Sequence, residues 1–248
     1  MPPEFVNTKP FPLPVKERPI LFSAPMVRAL LDGTKTQTRR VVKWRDLAAG
    51  LNLGFSGLSA QQMSAGWVLE SPSRTSSEWR CAPTPCPYGQ PGDRLWVRET
   101  HAPQADCWGS WERWLRGAGG EAPILHYAAD FKPFQNDNGF VIRKPFIEKW
   151  RPSIHMPRWA SRIDLEVTGV RVERLQGISA ADAKAEGIEG QFENGPWRNY
   201  ERDGNWFPEG KDTAPVLSYR SLWEQINGAG SWAANPWVWV VEFRRIKE

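Results

Sequence analysis

Hydrophobic and polar positions switch period several times along this chain, and each switch predicts an element. Pro19 to Phe22 reads as a short strand feeding a helix in which Met26, Ala29 and Leu30 recur at helical spacing. Ser23 is placed as its N-cap, Pro25 falls in the tolerant first turn and Gly33 supplies the C′ stop. The next stretch alternates without an apolar side: Thr34, Thr36, Thr38 and Arg40 share one face, and Lys35, Gln37 and Arg39 the other. Burial alone does not explain such a strand, which makes it the first candidate for chemistry. Further along, Asp93–Glu99 alternates Leu95 and Val97 against Arg94, Trp96 and Arg98. Ser161–Val172 is the clearest strand, with Ile163, Leu165 and Val167 on one side before a kink at Gly169. Ser179 and Asp182 form a capping-box arrangement that opens a helix closed by Gly187. Ala214–Asn227 is an amphipathic helix with Leu217, Leu222, Trp223 and Ile226 inward, and Asn235–Ile246 is a long final strand.

Weaker patterns fill the intervals. Trp67–Glu70 and Glu78–Arg80 read as a short hairpin, and Ile124–Ala128 as a strand. Trp108, Trp111 and Trp114 have the spacing of one helix face. Residues 43–66 and 190–212 carry no sustained period and read as insertions or loops. Residues 1–18, with five prolines, form an extended leader. The expected organisation is a single domain over 19–248, with insertions at about 43–92, 101–160 and 190–212. Short strands in mixed order with a few short helices place the fold in the α+β class, with a barrel-like sheet.

Composition narrows the function classes. The chain has 248 residues, 40% apolar and 24% charged, and a formal charge of +4. That balance permits a nucleic-acid partner without demanding one. Fifteen tryptophans are far more than usual, and offer either core volume or stacking platforms. The three cysteines, Cys81, Cys86 and Cys107, cannot all pair, and no signal-peptide pattern opens the chain. The longest apolar run, near Ile20–Leu31, is interrupted by Pro25 and Arg28 and is too short to span a bilayer. A cytoplasmic protein with reduced thiols and no membrane partner is expected. The cysteines with His101 are spaced too loosely for a zinc site, and no Gly-rich phosphate loop is present, so no metal or cofactor is expected.

Four stretches together resemble the ASCH domain family of the PUA-like superfamily: LLDGTKTQTRR, PGDRLWVRE, RPSIHMPRWASR and RIDLEVTGVRVERLQGISAADAKAEGI. The likeness is to the longer, phage- and prophage-associated members, and it implies a PUA-like/ASCH β-barrel with short peripheral helices. Minimal members have no counterpart of the insertions. The usual family motif has an acidic residue where this chain has Thr38. A branch that also carries threonine there is the N4-acetylcytidine amidohydrolases. Similarity to that branch implies Lys35, Thr38 and Glu186 as the catalytic set. Other members bind RNA or are similar to ribonucleases, so the fold leaves function open.

Amide hydrolysis needs a nucleophile, a base and stabilisation of an oxyanion. Thr38 fits the first role and Lys35 the second, its proton affinity lowered by burial or by Arg39 and Arg40. Residues three apart face opposite ways on a regular strand, so an irregularity is expected at Thr36 or Gln37. Glu186 stands at a helix C-terminus, where the dipole disfavours a carboxylate, and this marks it for proton delivery or for holding Lys35. Singly, Lys35 also reads as a dipole-complementing cation and Thr38 as an ordinary strand residue. The expected substrate contacts are Phe22, Ser23, Arg40, Trp96, Arg98 and Glu99. Trp96 serves equally as core, and Arg98 and Glu99 as a mutual pair. The expected activity is removal of an N4-acyl group from cytidine or a related modified pyrimidine nucleoside or nucleotide. The alternatives are a non-catalytic RNA-binding module and a metal-independent ribonuclease.

Overall fold

The computed structural model describes residues 15–47, 53–54, 57–70, 81–103, 124–131, 149–192, 195–202, 204–208 and 213–246. The Pro-rich stretch before residue 15, Glu78–Arg80, the Trp108–Trp114 helix and Cys107 lie outside them. A five-stranded sheet carries the fold. Its strands are β1 (Glu17–Leu21), β2 (Gln37–Val41), β5 (Arg94–Arg98), β8 (Asp164–Arg174) and β11 (Trp237–Ile246), in the order β1-β5-β8-β11-β2. β1 and β5 run parallel, and the other neighbours are antiparallel. The class is mixed α/β with few short helices: α1 (Ala24–Leu31), α2 (Ala180–Ala185) and α3 (Ala214–Asn227).

The long β8–β11 ladder is the spine. β11 is buried over Trp237–Val241, where side chains on both faces join the core, so its run WVWVV is apolar throughout rather than alternating. The register shifts between Glu242 and Phe243: Glu242 faces Gly169 and Phe243 faces Val167, leaving Thr168 as the extra residue of a bulge. The kink expected at Gly169 is this bulge. Trp239, near the start of β11, packs against Trp44 and Trp67 at 6.5 and 6.4 Å between ring centroids.

Several expectations change here. The partner of β4 (Gly66–Glu70) is β3 (Ser59–Met63), inside the stretch read as aperiodic. Its polar SAQQM pattern hides a strand because that strand is mostly exposed and needs no apolar face. Residues of the expected first insertion, among them Trp44, Leu58, Val68, Leu69 and Cys81, belong to the same buried cluster as the sheet. The stretch 190–212 likewise holds a small hairpin, β9 (Trp197–Arg198) with β10 (Trp206–Phe207). A third two-stranded piece pairs β6 (His101–Pro103) with β7 (Leu125–Tyr127). On α3, Leu217 is 37% and Ile226 59% exposed, so neither is core, whereas Tyr219, Leu222 and Trp223 are buried.

Among the described residues no ladder joins the two edge strands, β1 and β2. A side chain bridges them: Arg40 Nη2 donates to the Leu21 carbonyl at 2.7 Å. The opening between those edges is a cavity, with Leu21 and Phe22 on one side and Arg40 and Val41 on the other. Trp239→Ala is expected to cost about 3–5 kcal/mol, the range for emptying a buried aromatic site. Urea unfolding checks this, and a loss below about 1 kcal/mol would mean the tryptophan cluster is not the centre of the core.

Candidate functional site

Helix α1 ends as the sequence predicts, with Pro25 in its first turn and Asp32 as C-cap, although Ser23 makes no side-chain capping bond. Gly33 then turns at φ +78°. The chain does not enter a regular strand at once. The Thr34 and Lys35 amides both donate to the Ala29 carbonyl, and the Thr36 amide donates to Ala185 at the end of α2. Lys35 forms an isolated bridge with Glu186, and the ladder with β11 starts only at Gln37. Thr36 is therefore the irregular residue between a bridge to one partner and a ladder to another.

The interruption matters because it places Lys35 and Thr38 on the wall of one cavity of about 190 Å³. Phe22, Ser23, Arg39, Arg40, Glu186, Tyr219 and Trp223 line it as well. Lys35, Thr38, Arg39 and Glu186 are each buried, and Lys35 is only 4% exposed. The Lys35 Nζ donates to the Glu186 carbonyl at 2.7 Å and to its Oε2 at 3.0 Å. Arg39 Nη1 donates to the other carboxylate oxygen, Oε1, at 3.2 Å. Arg39 Nη2 reaches Glu173 at 2.5 Å and Asp182 at 3.4 Å. Arg171 meets Glu173, Asp182 and Glu242, so the network runs from the cavity to the sheet surface.

Glu186 is the C-cap of α2, and Gly187 follows at φ +80°. A Cβ on Gly187 would lie 2.8 Å from the Ala29 Cβ and 2.9 Å from the Lys35 Cβ. The glycine lets the end of α2 approach the end of α1 closely enough for Glu186 to reach Lys35. The Ser179 cap at the other end of α2 is also formed, accepting from the Asp182 amide.

Burial pulls the Lys35 ammonium below the usual lysine range; Glu186 opposes that shift, and Arg40 and Arg39 add to it. Arg39 is desolvated too, but Glu186, Tyr219 and Glu173 outweigh burial and hold its guanidinium above the ordinary value. Burial raises the Tyr219 phenol well above its normal range, so it stays protonated. The Lys35 ammonium and the Arg40 guanidinium lie 5.4 and 5.5 Å from the Phe22 ring centroid. Thr38 makes no side-chain hydrogen bond among the described residues, leaving its hydroxyl available to a ligand.

Three of the expected substrate contacts lie elsewhere. Trp96, Arg98 and Glu99 do not line the cavity. Trp96 is buried, with the guanidinium of Arg98 at 4.7 Å and that of Arg158 at 5.9 Å from its ring. Glu99 pairs with Arg162 through both carboxylate oxygens, at 2.9 and 3.0 Å, rather than with Arg98. These three follow β5 to an inner position of the sheet, away from its open edges. Conversely, Tyr219 was missed. The helical spacing Tyr219, Leu222, Trp223, Ile226 marks the α3 face that meets the cavity, and replacing Leu217 by Tyr219 in the expected face would have found it. Among the described residues no group of three or more His, Cys, Asp or Glu side chains could hold a metal ion. Cys81 accepts a hydrogen bond from the Leu69 amide, and burial pushes the Cys86 thiol up to about 11. Nor is any described helix long and apolar enough to cross a membrane.

No known family model, curated protein or solved structure matches this chain.

Gly187→Ala is expected to cost about 1–3 kcal/mol from the left-handed conformation alone, with the steric clash added. Denaturant unfolding together with the Lys35 side-chain resonance checks this. An unchanged lysine signal would mean that Lys35 and Glu186 do not depend on the close approach.

Proposed function

We propose that the cavity is the centre of an amidohydrolase that removes an N4-acyl group, acetyl in the simplest case, from cytidine or a related modified pyrimidine nucleoside or nucleotide. The scaffold in this proposal is a PUA-like, ASCH-type sheet that curls toward a barrel, in a cytoplasmic protein. One observation carries it: Lys35 and Thr38, from the segment that enters β2, and Glu186, from the end of α2, line one small cavity. At about 190 Å³, that cavity lies below the usual range of roughly 300–1,000 Å³ for drug-sized ligands. It suits an acylated base with the sugar left at the mouth.

Glu186 takes two of the tetrahedral positions around Lys35 Nζ, through its carbonyl and its Oε2. A neutral lysine amine has two N–H donors, and both are used there. Its lone pair is left for a proton from Thr38. In the first step the Thr38 Oγ attacks the acyl carbon while its proton passes to Lys35 Nζ. The Tyr219 phenol, kept protonated by burial, is the available donor for the oxyanion. Collapse breaks the bond between the acyl carbon and N4, and Lys35 returns the proton to the leaving nitrogen. Water then cleaves the acyl-threonine ester, releasing a carboxylate and restoring the hydroxyl. Glu186 holds the lysine and balances its charge whenever it is protonated.

Lys35→Ala and Thr38→Ala are each expected to reduce acetate release from N4-acetylcytidine by about 10²–10⁴-fold, the range for losing a positioned acid–base group. Mass spectrometry of nucleosides before and after incubation reads this directly. No hydrolysis of any N4-acylcytidine by the intact protein rejects the activity. Salt-dependent RNA binding without product would instead identify a binding module, and shortened RNA a nuclease.

The pH profile is a separate check. Lys35 must be neutral to accept a proton, so kcat/KM is expected to rise with pH through its depressed folded pKa. The profile should level off below the usual lysine value of about 10.4. Stability has the same sign: between those two pH values the unfolded chain binds the extra proton, so folding strengthens as pH rises. A rate that falls across this window would exclude Lys35 as the base.

A further inference from the structure

The cavity's charges do not balance. Its lining includes three cations, Lys35, Arg39 and Arg40, and one carboxylate, Glu186. Glu186 is already shared between Lys35 and Arg39, and Arg39 has Glu173 and Asp182 besides. Arg40 has no carboxylate partner among the described residues. Its one hydrogen bond there runs from Nη2 to the Leu21 carbonyl, and its Nε–H is buried without an acceptor. Arg171, Arg158, Arg162, Arg198 and Arg244, by contrast, each meet at least one carboxylate.

Depth places this unpaired cation. Lys35, Thr38 and Glu186 form the buried floor, whereas Val41, 45% exposed, and Ile226, 59% exposed, mark the mouth. Arg40 is half-buried, next to Val41 on the free edge of β2, and is steadied by the Leu21 carbonyl and the Phe22 ring. A base inserted toward Thr38 leaves its sugar and whatever the sugar carries at that mouth. An arginine with unused N–H donors held there matches the oxygens of a phosphate, which accept in the same plane as the guanidinium fork.

We infer that Arg40 is a phosphate-recognition residue at the cavity mouth, so that the preferred ligand is a phosphorylated pyrimidine, either a mononucleotide or a nucleotide within RNA, rather than a free nucleoside. This inference rests on the proposed base-accepting role of the cavity, but it does not require that the protein hydrolyse what it binds. The guanidinium presents its fork from a strand edge that is bonded on its other side to β11, so its direction is fixed before a ligand arrives.

Calorimetric titration of the intact protein with N4-acetylcytidine and with its 5′-monophosphate tests it. The monophosphate should bind at least tenfold more tightly at low salt, and the ratio should shrink as salt rises. Arg40→Gln should bring the ratio close to one, and Arg40→Lys should keep part of it by retaining the charge without the fork. A short RNA carrying one N4-acetylcytidine separates the sources: tighter binding than the mononucleotide assigns Arg40 to a phosphodiester, weaker binding to a terminal phosphate. Equal affinity of the wild type for nucleoside and monophosphate overturns the inference, as does a preference that survives in a folded Arg40→Gln, or binding of neither ligand. Phosphate-dependent binding without acetate release would retain Arg40's role and reject the hydrolase. Acetate release with no phosphate preference would do the reverse.

Discussion

Lys35, Glu186 and Arg39, buried against one another, set the geometry on which the candidate site depends. Taking an ammonium, a carboxylate and a guanidinium out of water is costly, and their mutual attraction offsets that cost only with close hydrogen-bonded geometry. Removing one member of such a group typically costs about 3–5 kcal/mol, because the others are left charged and unsolvated. The end of α1, the start of β2 and the C-terminus of α2 are thus held in one arrangement. That arrangement is also what brings Lys35 and Thr38 to the same cavity.

A fully paired lysine would make a poor base, so the details of the pairing matter. Glu186 uses both its carbonyl and its carboxylate on Lys35 and shares the carboxylate with Arg39, while burial and Arg40 push the lysine toward its neutral form. Structure and chemistry favour the same form: burial shifts Lys35 toward the neutral amine, and the neutral amine is what the proposed reaction uses. Arg39 remains charged in both states, tied to Glu173 and Asp182, and keeps Glu186 in place when the lysine loses its proton.

The elements with strong periodicity were legible. The stop at Gly33, the Ser179 cap, the kink near Gly169 and the closing strand all follow from local rules of capping, turning and alternation. The polar stretch after Gly33 stands out in the sequence, because threonines with Arg40 on one face and Lys35, Gln37 and Arg39 on the other fit no ordinary burial pattern. What failed was weakly patterned or long-range. β3 is polar because it is exposed, so alternation had nothing to report. Trp96, Arg98 and Glu99 looked like site residues by type, yet β5 is an inner strand and the cavity opens at the edges. Tyr219 was overlooked because a tyrosine on an amphipathic helix reads as packing until its neighbours are known.

The sequence by itself determined the local vocabulary: where helices begin and end, which strands alternate, and that one stretch carries charges an apolar core does not call for. Those properties depend on residues a few positions apart, whose interactions survive in any fold. Only the tertiary structure decided that Glu186 meets Lys35 from 151 positions along the chain, with Gly187 clearing the approach. Only the tertiary structure, too, left Arg40, of the three cations lining the cavity, without a carboxylate among the described residues. Charge compensation and burial depend on what the folded chain brings within a few ångströms, and no local pattern encodes that distance.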